Sequence, residues 1–315
     1  MNDDNVPMRS PTQPDLSEAD ITDLLHEGLG PGIAVTGAAE LTGGGFATVW
    51  RASIDDGRQV VVKAGPAPGT PLLGYERGLI AAEAEYFRLV RARVPAVPVP
   101  EVLHEGDNWL ITTFLPGRPL EEHDDPAVRA ELGAAVARVH TVTGTRFGYT
   151  GDRPSGADWP AAYAAMTDGL LSDADRWRVP LPAGLNGLAG RHAGTLAVVT
   201  RPALVHFDLW DGNVLGAAGR LTGLVDGERY LYGDPLVDLV SPALMRRIED
   251  EPDHPFLLGY GSPVLDRPAT TRLSLYRVHL YLLMLAEGPS RGIPVGSERH
   301  HRLTALLESE LTQLR

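Results

Sequence analysis

Three polar residues between positions 206 and 226 have the types and the spacing that phosphoryl transfer requires. Asp208 lies in the stretch HFDLWDGNVL, Asn213 follows five residues later, and Asp226 lies in LVDGERYLYGDPLVDL. A carboxylate beside an attacking hydroxyl group can accept its proton, and carboxylate and amide oxygens are the ligands that Mg²⁺ prefers. The order predicts Asp208 as the catalytic base and Asn213 and Asp226 as metal ligands.

A second set of residues, earlier in the chain, has the features of a phosphate site. The stretch VVVKAG contains Lys63, the only lysine in a chain with 28 lysine and arginine residues. Its ammonium group is a compact point charge, which the planar guanidinium group of arginine does not replace isosterically. Upstream, TGGG places Gly43, Gly44 and Gly45 between two strands, where backbone N–H groups can approach an anion closely. A glycine-rich turn without a ligand is the alternative interpretation.

Glu83 lies on the helix predicted after the lysine strand. In the functional interpretation its carboxylate pairs with Lys63 and holds the lysine towards phosphate oxygens. In the alternative it is a solvated helix residue, as Glu76 and Glu85 are expected to be. Spacing alone does not choose between these glutamates.

The elements that must position these residues change in type near residue 115. Apolar and alternating stretches predict strands before that point, with a hairpin turn at Asp55-Asp56-Gly57. Helical spacing predicts a helix over LSEADITDLLHEGL, one over GLIAAEAEYFRLVRARV and mostly helices later, including PLVDLVSPALMRRIED. The predicted fold is α+β, with a small β-rich N-terminal lobe, a larger and mainly helical C-terminal lobe, and a cleft between them. The predicted divisions are a disordered tail at 1–16, an N-terminal lobe with a leading helix at 17–114, a linker at 115–120 and a C-terminal lobe at 121–315.

Composition narrows the class of protein and of partner. The chain has 315 residues, no cysteine and a net charge of −13. The absence of cysteine excludes disulfides and thiolate metal sites and fits a reducing compartment. Nucleic-acid binding needs clustered cations, which the acidic excess in both lobes disfavours. No secretory signal or membrane span is recognised, so we expect a cytoplasmic protein without a nucleic-acid or membrane partner, as a monomer or a homodimer.

In this order, the motifs resemble those of the protein-kinase-like small-molecule phosphotransferases: the aminoglycoside and related antibiotic phosphotransferases, with fructosamine and choline kinases as relatives. The resemblance covers roughly residues 33–290. It implies the bilobal protein-kinase-like fold, ATP or GTP and Mg²⁺ as cofactors, and a nucleotide-binding role for the glycine loop, Lys63 and Glu83. It also implies that WLITTFLPGRPL is the hinge that meets the purine, through backbone groups of Thr112, Thr113, Phe114 and Leu115.

Two residues depart from the family pattern. Family loops commonly place glycine where Phe207 precedes the catalytic aspartate, and a bulky aromatic residue where Gly227 follows the metal aspartate. The first departure puts the local packing in question, and the second could loosen the metal segment. Four further residues are candidates for substrate contacts or for support of the site: Trp210, Glu228, Asp234 and Tyr149. The alternatives are packing for Trp210, helix capping for Asp234 and a purely structural loop for Tyr149. Glu228 is expected either to support the site or to serve as an extra metal ligand.

The leading hypothesis is an O-phosphotransferase that moves the γ-phosphoryl group of ATP or GTP to a hydroxyl group of an antibiotic of the aminoglycoside, macrolide or nucleoside type, and so confers resistance. A fructosamine or ketosamine kinase is the alternative acceptor class, and a nucleotide-binding pseudokinase is a third hypothesis. A protein kinase is disfavoured because Gly233-Asp234-Pro235 arrives too soon after Asp226 for a peptide platform.

Overall fold

An antiparallel sheet of five strands forms the centre of the N-terminal lobe. The computed structural model describes residues 9–41 and 43–315. Residues 1–8 and Thr42, which belong to the predicted tail and to the start of the glycine loop, lie outside the described residues. The strand order is β1-β2-β3-β5-β4, with these bounds: β1 Val35–Leu41, β2 Thr48–Ile54, β3 Gln59–Ala64, β4 Val102–Glu105 and β5 Trp109–Thr113.

The predicted hairpin joins β2 to β3. Residues of β2 alternate between buried and half-buried positions, as a strand with one covered face requires. Gly57 has a φ of 86°, and Arg58 N donates to Asp56 Oδ1 at 2.9 Å. The turn thereby brings Lys63 opposite Val49 on one side and Leu110 on the other.

Two helices cover the faces of this sheet. Helix α1, Glu18–Leu29, begins at Ser17, whose side chain caps Asp20 N, and it buries Ile21 and Leu25 completely against the sheet. Helix α2, Leu79–Arg93, buries Glu83, Tyr86 and Phe87 and shares its core with the C-terminal lobe. Because α2 packs in the larger core, the position of Glu83 is tied to both lobes.

The C-terminal lobe is mainly helical, as predicted. Helix α8 is buried along nearly its whole length and packs against α4 and α9. No helix of the described residues is long and apolar enough to cross a membrane. The helices of this lobe are α3 Pro126–Val139, α4 Trp159–Arg176, α5 Leu188–Arg191, α6 Ala193–Leu196, α7 Pro255–Tyr260, α8 Arg267–Glu287 and α9 Glu298–Gln313.

Short strands frame the loops that carry the candidate site. One sheet has the order β11-β10-β6 and a second the order β8-β7-β12-β9. The predicted linker takes part in the first sheet, because β6 pairs with β10. The strands are β6 Arg118–Pro119, β7 Phe147–Gly148, β8 Ser155–Gly156, β9 Ala203–Val205, β10 Val214–Ala217, β11 Arg220–Leu224 and β12 Leu231–Gly233.

Two segments differ from the sequence prediction. The stretch PLVDLVSPALMRRIED is not one helix: it forms a short 3₁₀ helix over Pro235–Leu239 and a second over Ile248–Asp250. Within this stretch, the side chain of Asp238 accepts hydrogen bonds from residues 140, 206 and 207. These tertiary bonds compete with the formation of a regular helix. Residues 9–16, assigned to a disordered tail, lie against the glycine loop, where Thr12 Oγ1 donates to Gly45 O at 2.7 Å and Gln13 Nε2 to Ala47 O at 3.0 Å.

Candidate active site

Lys63 stands among three carboxylates where the lobes meet. Its Nζ lies 2.7 Å from Glu83 Oε2 and 2.7 Å from Glu228 Oε2, and it also donates to Asp226 Oδ1. Glu83 is buried on α2, so it is not the solvated helix residue of the alternative interpretation. We call these four residues, Lys63, Glu83, Asp226 and Glu228, the lysine cluster.

The charges of the lysine cluster shift one another's protonation. Burial alone would raise the pKa of Asp226, but the Lys63 ammonium group holds it below its ordinary value. Burial raises the pKa of Glu83 to about 8, with Lys63 offsetting part of the effect. Burial would lower the pKa of Lys63, yet the three carboxylates hold it well above the ordinary value. The lysine therefore carries its charge in this site.

Three of the carboxylates can supply oxygen ligands to a cation. Oxygens of Glu83, Asp226 and Glu228 all lie within 4.8 Å of one another. Asp226 adopts left-handed backbone, with φ 63° and ψ 44°, which Asp tolerates better than most residues. This backbone turns the Asp226 carboxylate back towards Lys63 at the end of β11.

The catalytic-loop residues before Asp208 are held by Asp238. Phe207 has a φ of 69°, a conformation that favours glycine and explains why a glycine at this position is easily accommodated. Asp238 accepts hydrogen bonds from Phe207 N at 2.6 Å, from His206 N at 3.0 Å and from His140 Nε2 at 3.0 Å. These bonds fix the strained backbone that precedes Asp208.

Asp208 itself is largely buried, with 15% of its side chain exposed. Burial raises the pKa of its carboxyl group, and the Arg229 guanidinium group, 3.6 Å away at Nη1, offsets part of that rise. The pKa values of the two aspartates thus shift in opposite directions, since that of Asp208 is raised and that of Asp226 is lowered. A separation of this kind is how neighbouring carboxyl groups take different roles.

Asn213 is oriented by the same loop. Its Nδ2 donates to Asp208 O at 2.9 Å, and its main-chain O accepts from Val225 N at 3.1 Å. The second bond ties Asn213 to the residue before Asp226. The structure therefore connects Asp208, Asn213 and the segment that carries Asp226 through these two hydrogen bonds.

The two departures from the family pattern have local explanations. A Cβ atom at Gly227 would lie 2.2 Å from Cδ1 of Tyr86, so the ring of Tyr86, from α2, fills the space beside Gly227. The metal segment is packed and not loosened. Trp210 is half-buried, and its ring lies where a Cβ of Gly212 would stand, at 2.2 Å from Cη2. This position favours packing for Trp210.

A comparison with protein families identifies the family of the chain. The model of the phosphotransferase enzyme family matches residues 38–275. The chain belongs to the phosphotransferase enzyme family. It is therefore a kinase-type phosphotransferase, and its two-lobed architecture is the protein-kinase-like fold predicted from the sequence. Compared by sequence, no curated protein matches the chain significantly.

Solved phosphotransferase structures share the fold. A candidate fructosamine-3-kinase from Thermobifida fusca has a TM-score of 0.72 and 22% identity, over 94% of this chain and 100% of the other. A thermostable mutant of aminoglycoside phosphotransferase APH(4)-Ia in complex with AMP-PNP and hygromycin B has a TM-score of 0.59 and 18% identity, over 93% of this chain and 98% of the other. Macrolide 2'-phosphotransferase MphH from Brachybacterium faecium has a TM-score of 0.56 and 20% identity, over 91% of this chain and 97% of the other.

The glycine loop of this phosphotransferase is open on one side and supported on the other. Gly43 and Gly44 have φ values of 116° and 71°, and a Cβ atom at either would meet nothing within 4 Å. At Gly45, a Cβ atom would lie 3.2 Å from Cδ of Arg291. The loop thus contacts the C-terminal lobe through Gly45.

The predicted hinge has fewer free backbone donors than the sequence suggested. Thr112 pairs with Val61 in the sheet, Thr113 N donates to Glu101 O at 2.9 Å, and Phe114 N donates to Gln59 O at 3.1 Å. Main-chain bonds within the lobe therefore already use the N–H groups of Thr113 and Phe114, two of the four predicted hinge residues.

Asp234 and Tyr149 occupy structural positions. Asp234 is buried and accepts from Leu236 N at 3.1 Å, Arg272 Nε at 2.7 Å and Tyr276 Oη at 2.7 Å, so it is a cap and not an exposed substrate contact. Tyr149 is buried, and burial raises its pKa to about 12. Its Oη has no hydrogen-bond partner among the described residues.

Sequence reasoning missed a second charged cluster beside Asp208. Arg229 Nη2 donates to Glu287 Oε1 at 2.8 Å, and Arg291 Nη2 lies 3.6 Å from the same oxygen. Arg291 also pairs with the buried Glu76. We call Glu76, Arg229, Glu287 and Arg291 the arginine cluster. No sequence motif signals it, since three of its members come from segments outside the motifs.

Proposed function

We propose that this phosphotransferase moves the γ-phosphoryl group of ATP or GTP to a hydroxyl group of a small molecule. The observation that carries the proposal is the meeting of Asp208, Asn213, Asp226 and Lys63 in one site, each held by bonds to a different element. Loss of any one of them would have favoured a pseudokinase, and all four are in place.

Each residue has a defined part in the transfer. Asp208 accepts the proton of the acceptor hydroxyl group, whose oxygen forms a new bond to the γ-phosphorus. The bond from that phosphorus to the β–γ bridging oxygen breaks, and the nucleoside diphosphate leaves with the electron pair. Lys63 and the N–H groups of Gly43, Gly44 and Gly45 hold phosphate oxygens, so most of the rate enhancement comes from positioning and charge stabilisation.

The donor set around Asp226 fits a magnesium ion. Carboxylate oxygens of Asp226 and Glu228 and the amide of Asn213 are hard oxygen donors, and the carboxylates outnumber the lysine that neutralises them. Asn213, Asp226 and Glu228 would hold the ion, with Glu83 retained as the partner of Lys63. Bound Mg²⁺ supplies positive charge to the phosphate oxygens during transfer.

We consider two acceptor classes. A sugar-bearing antibiotic of the aminoglycoside, macrolide or nucleoside type is the first, since solved relatives include an aminoglycoside and a macrolide phosphotransferase. A ketosamine is the second, and the TM-score of 0.72 with the candidate fructosamine-3-kinase supports it. In the first case the phosphorylated antibiotic would be inactivated, which would confer resistance.

A coupled assay of nucleoside diphosphate release tests the proposal. The purified chain is incubated with Mg²⁺, with ATP or GTP, and with one acceptor at a time: an aminoglycoside, a macrolide, a nucleoside antibiotic or a ketosamine. We expect release to depend on one acceptor class, and mass spectrometry of that acceptor to show a single added phosphoryl group. Acceptor-independent binding of nucleotide with no transfer to any hydroxyl compound would favour the pseudokinase hypothesis instead.

A further inference from the structure

Arg291 joins the end of helix α8 to the glycine loop. It closes the 3₁₀ helix Pro289–Arg291 and lies beyond residue 275, where the family match ends. Its Cδ contacts Gly45 as described above, and its guanidinium carbon lies 5.2 Å from the centroid of the Phe46 ring. With 9% of its side chain exposed, it is a buried cation beneath the loop that is proposed to cover the phosphates.

Arg229 lies between Arg291 and the catalytic aspartate. Its Nη1 is 3.6 Å from Asp208 Oδ1, while its Nη2 shares Glu287 Oε1 with Arg291. Its Nε is buried and has no hydrogen-bond partner among the described residues. The guanidinium group therefore has a buried donor, Nε–H, that lacks a partner, and an unpaired buried donor is costly.

We propose that Arg229 and Arg291 bind the oxygens of the transferring phosphoryl group and stabilise its charge during transfer. This inference rests on the proposed nucleotide site. In phosphoryl transfer the negative charge spreads over three equatorial oxygens, and guanidinium groups bind such oxygens in pairs. One of the two arginines lies beside Asp208 and the other contacts the glycine loop, so the two cations lie at the acceptor side and at the nucleotide side of the proposed transfer.

Glu76 and Glu287 are positioning residues in this proposal. Both are buried and accept from arginine, and Tyr75 Oη also donates to Glu287 Oε1. They hold the guanidinium groups in place before nucleotide binds, so little reorganisation accompanies the reaction. Arg229 keeps its bond to Glu287 through Nη2, while Nη1, which lies 3.6 Å from Asp208 Oδ1, meets a phosphoryl oxygen.

The test separates phosphoryl contacts from acceptor contacts. In an Asp208→Asn background with Mg²⁺, calorimetry measures the affinity for ADP and for AMP-PNP. We expect Arg291→Gln to weaken AMP-PNP binding at least about tenfold and to change ADP binding by less than about twofold. In the otherwise native chain, the same substitution should lower kcat by about 10²-fold to 10³-fold, with the KM for the acceptor nearly unchanged.

Two further variants keep the result interpretable. Glu76→Gln combined with Arg291→Gln removes both charges of the buried pair, so it should fold with a melting temperature near that of the native chain and show the same kinetic loss. Arg246→Gln, which removes an exposed arginine paired with Glu251, is the matched control and should change neither affinity nor rate.

Three outcomes would overturn the inference. A rise in acceptor KM with unchanged AMP-PNP affinity would show that Arg291 binds the acceptor. Equal losses of ADP and AMP-PNP affinity would place Arg291 at the other phosphates, and no change would give it no role.

Lys63→Arg is measured in parallel: if it leaves both nucleotide affinities unchanged, the proposed nucleotide site fails. If it weakens both while Arg291→Gln has no effect, only this inference fails.

Discussion

The lysine cluster and the arginine cluster lie side by side in one site, yet their charges are arranged differently. Lys63 faces three carboxylates, whereas Arg229 and Arg291 face the two carboxylates Glu76 and Glu287. The first cluster therefore has three carboxyl groups for one cation, and burial raises the pKa of two of them, Glu83 and Glu228, whereas the second cluster has two carboxylates for two cations. A buried excess charge favours a counter-ion, while a balanced network is stable without one.

This difference assigns the two ends of the site to different partners. The acid-rich cluster is suited to a divalent cation, and the balanced cluster is suited to hold its arginines ready for an anion. Asp208 lies between them, close enough to Arg229 for its pKa to be affected. The predictions below test this division, from the largest expected effect to the smallest.

Asp208→Asn should have the largest effect on catalysis. The amide cannot accept the hydroxyl proton, so we expect kcat to fall by about 10³-fold to 10⁴-fold while nucleotide affinity is retained. Steady-state kinetics and calorimetry measure the two quantities. A native rate in this variant would remove Asp208 from the mechanism.

Removal of one carboxylate should have opposite effects in the two clusters. In metal-free buffer, Glu287→Gln leaves Arg229 and Arg291 short of a partner and should cost about 3 kcal/mol of unfolding free energy. Glu228→Gln relieves the acidic excess and should be neutral or stabilising under the same conditions, as measured by urea denaturation. Added Mg²⁺ should then raise the unfolding free energy of the native chain more than it raises that of the Glu228→Gln variant. Equal destabilisation by both variants would contradict the proposed difference between the clusters.

Lys63→Arg tests why one ammonium group occupies the acid-rich cluster. The larger, planar guanidinium group cannot occupy the position of the ammonium group between three carboxylates. We therefore expect kcat/KM for nucleotide to fall by about 10²-fold. The fold should be intact by circular dichroism. Arg246→Lys, the reverse exchange at an exposed site, is the control and should be silent; a near-native rate for Lys63→Arg would make the single lysine an accident of composition.

The smallest expected effect is a change in pH dependence. Because burial raises the pKa of Asp208, kcat/KM should fall with decreasing pH at a pH above the ordinary aspartate range. Arg229 lowers that pKa, so Arg229→Gln should move the acid limb to higher pH. A pH–rate profile of both proteins measures this, and a limb that stays in place or moves to lower pH would show that Arg229 does not act on Asp208.

The sequence by itself determined the order of the elements and predicted the chemistry of the site. A two-lobed phosphotransferase could be predicted from the spacing of Asp208, Asn213 and Asp226, the single lysine in a strand and the glycine run. Residue type and periodicity are properties of the local sequence, so they can be read without the structure. The roles of these site residues stay predictions, since their test is kinetic. The prediction of secondary structure from local pattern failed in the segment around Asp238, where tertiary hydrogen bonds compete with helix formation. This segment binds the backbone before Asp208 and does not form a long helix.

Only the tertiary structure decided which groups face one another. Tyr86 fills the space left by Gly227, and Arg291 meets Gly45 across some 240 residues of chain. The choice of Glu83 as the partner of Lys63 was also made by packing, since Glu76 instead pairs with Arg291. These contacts depend on distances between segments that no local pattern encodes. The charge balance of the two clusters, and with it the expected division between cation and anion, therefore became visible only in the folded chain.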